Sequence, residues 1–94
     1  MKKYILVTGA SSGIGKQTVV ELAKKSDDYV IFATIRRRED KALVERVSKN
    51  VVGVYLNITN KASVLKALKF ITSKTKVLDV IVNSAGIATA GPLE

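Results

Sequence analysis

Apolar residues along this chain come in short continuous runs, separated by stretches where they recur every three or four positions. The run Tyr4–Thr8 (YILVT) has the pattern of a buried strand and is stopped by Gly9. From Ile14 to Lys25 the spacing is helical, with Ile14, Thr18 and Leu22 on one face beside Val19 and Ala23. Tyr29–Thr34 (YVIFAT) reads as a second strand. Glu39 and Asp40 suit the first turn of a short helix, where the helix dipole favours carboxylates, and Leu43 and Val47 are expected to point inward. Val51–Leu56 (VVGVYL) is a third strand. Asn60 can cap a helix running to Thr75, in which Val64, Leu65, Leu68 and Ile71 recur at helical spacing. Val77–Val82 (VLDVIV) completes the series as a fourth strand.

The order is therefore βαβαβαβ. Strands that are apolar almost throughout belong in a parallel sheet covered on both faces, and right-handed crossovers make such a sheet doubly wound. The fold class is α/β, and 94 residues suit one small domain with a modest core. No repeat, low-complexity tract or linker divides it, and the single proline is Pro92.

Composition narrows the chemistry. Without cysteine there are no disulfides or thiolate metal sites, and the absence of histidine argues against a transition-metal centre. The start MKKYILV places a basic pair before apolar residues, but the run stops at Thr8-Gly9. That is too short for a signal sequence or a membrane span, so a cytoplasmic protein is expected. The net charge is +8, yet the lysines are scattered (Lys24, Lys25, Lys41, Lys61, Lys66, Lys69, Lys74), and only Arg36-Arg37-Arg38 forms a compact run. Aromatics are 5% of the chain, leaving little to stack on bases, so anionic ligands are favoured over nucleic acid.

The candidate anion site is TGASSGIGKQT, Thr8 to Thr18. A triphosphate-binding P-loop would need Ser or Thr directly after Lys16 to ligate Mg²⁺, but Gln17 is there and Thr18 comes one residue late. The carboxylate that should close an apolar strand fails as well: Asp79 lies within VLDVIV, and the residue that follows this run is Asn83. A dinucleotide-binding turn fits instead. Gly9 permits the tight turn, Gly13 lets the backbone approach a pyrophosphate, and Gly15 allows close helix–strand packing. A site for NAD usually carries an acidic residue after the second strand to accept from the ribose 2′-hydroxyl. This chain has Ile35 and then Arg36-Arg37, whose planar forks suit a 2′-phosphate, so NADP(H) is expected in preference to NAD(H). The rival reading of the arginines is a solvated loop.

TGASSGIG at Thr8–Gly15, with NSAG at Asn83–Gly86 after the fourth strand, resembles the short-chain dehydrogenase/reductase family. The family usually has Asn-Asn-Ala-Gly at the second motif, from which Ser84 departs. FATIR (Phe32–Arg36) and LDVIVNSAG with the closing GPLE are further similar to its hydroxysteroid and retinol dehydrogenase branch. The resemblance implies cofactor contacts from Gly9, Ser11, Ser12, Gly13, Ile14 and Gly15, with Arg36 and Arg37 at the 2′-phosphate. Asn57 stands where the family commonly has an aspartate that contacts the adenine amino group, and it keeps an acceptor oxygen. Ile58 would offer adenine backbone and apolar contact, while Asn83, Ala85 and Gly86 would line the ribose. Asn83 can equally be a purely structural tie between strands.

In the family that this chain resembles, hydride moves between nicotinamide and a carbonyl carbon. A Tyr handles the alcohol proton, a Lys four residues later lowers its pKa, and a Ser polarises the carbonyl. Here Tyr4, Tyr29 and Tyr55 are followed four residues on by Thr8, Ala33 and Thr59, so no catalytic residue is assigned. The full doubly wound order 3-2-1-4-5-6 needs two halves, and the four strands here supply only part of it. The implied reading is the N-terminal, cofactor-binding portion of a longer alcohol/carbonyl oxidoreductase, not catalytic by itself. Its small-molecule substrate would bind only the full-length protein. An uncovered fourth strand would favour homo-oligomers or self-association through that edge. The alternative is a stand-alone nucleotide-binding or regulatory module without chemistry.

Overall fold

The computed structural model describes residues 2–10 and 13–83. Ser11, Ser12, Ala85 and Gly86, all expected at the cofactor, lie outside the described residues. The elements are β1 (Lys3–Thr8), α1 (Gly13–Lys25), β2 (Tyr29–Ile35), α2 (Asp40–Glu45), β3 (Val51–Tyr55), α3 (Lys61–Lys74) and β4 (Val80–Asn83). The strands form one sheet in the order β3-β2-β1-β4, and every pairing is parallel.

Alternation along the strands sorts the apolar residues onto two faces. On one face Ile5, Val7, Ile31, Ala33, Ile35 and Val51 meet Val19 and Ala23 of α1 and Val44 of α2. On the other, Phe32 and Val54 meet Ala67 and Ile71 of α3, with Tyr4, Leu6, Val30, Val52, Leu56 and Leu78 half-buried around them. Helices therefore cover both faces, and the expected doubly wound arrangement holds.

Which helix residues face the sheet agrees with the sequence pattern at Val19, Ala23 and Ile71 and at Val47, which packs against the first core, and differs elsewhere. In α1 the buried stripe is Gly15, Val19 and Ala23, and Ile14 is exposed. In α2 Val44 is buried to 1% exposure, while Leu43, expected inside, is half-exposed at 48%. The reason lies on the sheet. A Cβ on Gly53 would stand 3.2 Å from Val44 and 2.9 Å from Lys41, so only a glycine lets this short helix come so close. Val44 then seats over Gly53, and its neighbour Leu43 is turned roughly 100° away. In α3 the buried stripe is Ser63, Ala67 and Ile71, leaving Leu65 and Leu68 exposed. Small residues at i and i+4 draw the helix onto the sheet, and the bulkier leucines fall on its flank. Asn60 caps α3 as its residue type predicts, its Oδ1 accepting from the Ser63 N–H at 3.1 Å.

The fourth strand starts at Val80 rather than Val77. Asp79 sets this boundary: its N–H donates to the Tyr4 carbonyl at 2.8 Å, and its carboxylate accepts from the Tyr4 N–H at 2.8 Å. The side chain thus takes the donor that an earlier residue of a continuing strand would accept from, and Val77 is left exposed.

The outer edge of β3 is blunted by α2. The Gly53 N–H donates to Glu45 Oε2 at 2.8 Å, and the Val51 N–H to the Ser48 carbonyl at 3.1 Å. Burial pushes the Glu45 carboxyl up, but the hydrogen bonds from Lys41 and Gly53 and the ammonium charge outweigh it and hold the group below its ordinary value. Covering outward-facing donors in this way discourages pairing with another chain.

Candidate cofactor site

The expected site residues that the structure describes gather at the C-terminal end of the parallel sheet. β1 runs into Gly9, whose φ of +63° is left-handed backbone that suits glycine. There the chain lifts off the ladder. The Gly9 N–H donates to Thr34 Oγ1 at 3.1 Å, and the Ala10 N–H to the Thr34 carbonyl at 2.9 Å. Gly13, with φ +61°, opens α1, and among the described residues beyond its chain neighbours and its own helix no atom lies within 4 Å of where its Cβ would stand. Gly15 is buried. The first turn of α1 holds no acidic residue, so nothing there opposes the positive end of the helix dipole, and Lys16 adds a cation. A glycine turn and a helix N-terminus whose first turn carries no acidic residue fit a phosphate or pyrophosphate.

The turn also sits at the topological switch point. β1 is followed outward by β2 and β3, and the chain then crosses back to put β4 on the other side of β1. Ligands of open α/β sheets bind at such reversals. Across it the Thr8 hydroxyl donates to Asn83 Oδ1 at 3.0 Å, so Asn83 ties two strands at the crevice mouth.

Arg36 and Arg37 follow β2 directly and are exposed, and among the described residues neither forms an ion pair. Arg38 is placed differently, its guanidinium 4.8 Å from the centre of the Tyr55 ring. Ile35, just before the run, is buried among the core residues beneath α1 and α2. Beyond β3, Ile58 is 81% exposed and offers an apolar surface to a flat ring. Asn57 is more committed than its residue type suggests. Its Oδ1 accepts from the Thr59 N–H at 3.1 Å and the Thr59 hydroxyl at 2.7 Å, while its own N–H donates to Ser63 Oγ at 2.9 Å. Both lone pairs of the oxygen expected to face adenine are thus engaged, and the side chain's amide donor is what remains for a ligand.

The sequence model for short chain dehydrogenases matches residues 3–94. The chain belongs to the short-chain dehydrogenase family. It is 30% identical over 86 residues to 3-oxoacyl-[acyl-carrier-protein] reductase FabG of Buchnera aphidicola, covering 92% of this chain and 35% of the relative. It is 36% identical over 92 residues to the 3-ketodihydrosphingosine reductase of Bacteroides thetaiotaomicron, covering 98% of this chain and 31% of that protein. Among solved structures, the KRED1-Pglu enzyme superposes with a TM-score of 0.79 at 25% identity, over 92% of this chain and 36% of its own. A short chain dehydrogenase from Bacillus anthracis shares the fold, with a TM-score of 0.75 at 24% identity over 89% of this chain and 34% of its own. The chain spans about a third of the length of the curated relatives it matches.

In this family member the three tyrosines all take part in packing. Tyr4 stacks on Phe32 with ring centroids 6.3 Å apart, Tyr29 packs against the first core, and Tyr55 lies under Arg38. Thr34, bonded to the Gly9 turn through its hydroxyl and carbonyl, is the residue beside the candidate site that sequence reasoning missed. Its only signal is a hydroxyl near the end of an otherwise apolar strand, two elements from the turn it holds. A separate cleft of about 430 Å³ lies along β3 between α2 and α3, lined by Arg38, Lys41, Lys66, Tyr55 and Phe70 among others, away from the glycine turn. Among the described residues there is no metal-binding cluster, and no helix is long and apolar enough to cross a membrane.

Proposed function

We propose that this chain is the NADP(H)-binding portion of an oxidoreductase that interconverts an alcohol and its ketone or aldehyde. Family membership and the reductases among its relatives support the reaction class. The observation that carries the cofactor choice is Arg36, exposed at the C-terminal end of β2 where an acidic residue would otherwise accept from the ribose 2′-hydroxyl. On this reading Gly9, Gly13, Ile14 and Gly15, with Ser11 and Ser12, hold the pyrophosphate end, and Arg36 and Arg37 take the 2′-phosphate. Asn57 and Ile58 border adenine, and Asn83, Ala85 and Gly86 line the ribose. When bound, the nicotinamide supplies or accepts hydride. Equilibrium titration of the chain with NADPH and NADH tests the reading, and equal affinities would remove its basis.

No Tyr-x-x-x-Lys pair is present in the 94 residues. Purified chain is therefore expected to bind the dinucleotide without reducing a carbonyl. NADPH oxidation that tracks the purified chain and depends on an added ketone would show a proton donor elsewhere in it.

Among the described residues β4 pairs only with β1, and Val80, Leu65 and Leu68 are exposed. An open edge beside apolar surface recruits other chains, so the isolated chain is expected to self-associate. Sedimentation velocity checks this, and a monomer at every concentration would contradict it.

A further inference from the structure

The turn that makes the anion cradle is held from the neighbouring strand by one side chain. Thr34 is 4% exposed and is the one hydroxyl in the run from Val30 to Ile35. With Val7 opposite Ala33, a regular parallel ladder would bring the Gly9 N–H to the Thr34 carbonyl. The left-handed conformation of Gly9 breaks that rule. Ala10 takes the carbonyl at 2.9 Å, and the Thr34 hydroxyl accepts the displaced Gly9 N–H at 3.1 Å. Backbone and side chain of one residue thus fix two successive amides, just where the chain leaves β1 for α1.

We infer that Thr34 is a positioning residue for the dinucleotide: its hydroxyl sets the Gly9 turn and so aims the N-terminus of α1. The inference rests on the dinucleotide reading but uses a different part of the ligand. Thr34 acts on the pyrophosphate end, which NADPH and NADH share, whereas Arg36 acts on the 2′-phosphate, which only NADPH carries.

Thr34→Val keeps the shape and removes the oxygen, and Thr34→Ser keeps the oxygen. At a temperature where all forms are folded, Thr34→Val should weaken NADPH and NADH alike by roughly five- to tenfold, the scale of one net hydrogen bond. Thr34→Ser should bind both as the parent chain does. The Gly9 amide should be protected from hydrogen exchange in the parent and the Ser variant, and exchange faster in the Val variant. Wild-type affinity for both dinucleotides in folded Thr34→Val would overturn the inference, as would a lowered unfolding temperature with unchanged affinity. If Thr34→Val does not fold, the Gly9 amide of the parent chain decides: rapid exchange there, with the strands protected, also overturns it. Equal parent affinities for NADPH and NADH would sink the 2′-phosphate assignment and leave the Thr34 result standing.

Discussion

Replacing Arg36 by alanine should lower NADPH affinity by about ten- to hundredfold and leave NADH binding within about twofold. The guanidinium stands immediately beyond β2, exposed and without an ion pair among the described residues. A charge-assisted hydrogen bond to phosphate is worth about 1.5–3 kcal/mol, and a planar fork can make two in parallel. NADH has no 2′-phosphate, so the loss should fall on NADPH alone. Arg38 should matter less, because its side chain is stacked over Tyr55. Structure also chooses the probe. Ile35→Asp, an obvious way to invite the 2′-hydroxyl of NADH, would set a carboxylate at a side chain only 1% exposed, and its cost to folding would obscure binding. Arg36→Asp places the acceptor one residue later, in solvent. Isothermal titration of both dinucleotides with the parent and Arg36→Ala measures the contrast. An unchanged NADPH affinity, or an equal loss for both cofactors, would return the arginines to a solvated loop.

Phe32→Ala should destabilise the chain by about 3–5 kcal/mol, the range for deleting a buried aromatic ring. Small domains have only about 5–15 kcal/mol in total, and one of 94 residues belongs toward the lower end. Phe32 is fully buried at the centre of the second core. The α3 residues buried there are Ala67, whose single methyl cannot extend, and Ile71, already seated in the same core, so most of the space the ring would vacate stays empty. Tyr4, stacked on it at an interplanar angle of 18°, would lose its partner as well. Leu65→Ala and Leu68→Ala serve as controls: both side chains are exposed, so each should change stability by less than about 0.5 kcal/mol. Urea denaturation followed by circular dichroism gives all three values. A Phe32 variant as mild as the leucine controls would mean that α3 is not held to the sheet through this residue.

Much of the architecture was legible because its causes are local. Apolar runs of strand length, helical spacing between them, the glycines that end β1 and open α1, and the Asn60 cap all depend on residues within about one helical turn of each other. The alternation of strand and helix then leaves a doubly wound parallel sheet as the economical way to bury both faces. The gathering of the candidate site residues was legible to the same extent. A glycine turn after a strand and arginines after the next must come together at the C-terminal end of such a sheet, whatever the rest of the packing does.

By itself, then, the sequence determined the order of elements, the parallel topology and the end of the sheet at which the candidate site residues gather. Tertiary structure decided what depends on the approach of remote segments. Val44 rather than Leu43 faces inward because Gly53, on another element, leaves room for it. Ser63 and Ala67 lie on the sheet beside Ile71 because small residues permit the closer contact, whereas hydrophobic spacing alone selects Ile71 but also Leu65 and Leu68, which are exposed. β4 begins at Val80 because the Asp79 carboxylate takes a donor 75 residues away. The Gly9 turn is set by a hydroxyl 25 residues away, and Tyr55 separates Arg38 from its two neighbours. Each of these outcomes turns on an interatomic distance of a few ångströms between segments far apart in the chain, and sequence spacing carries no record of such distances.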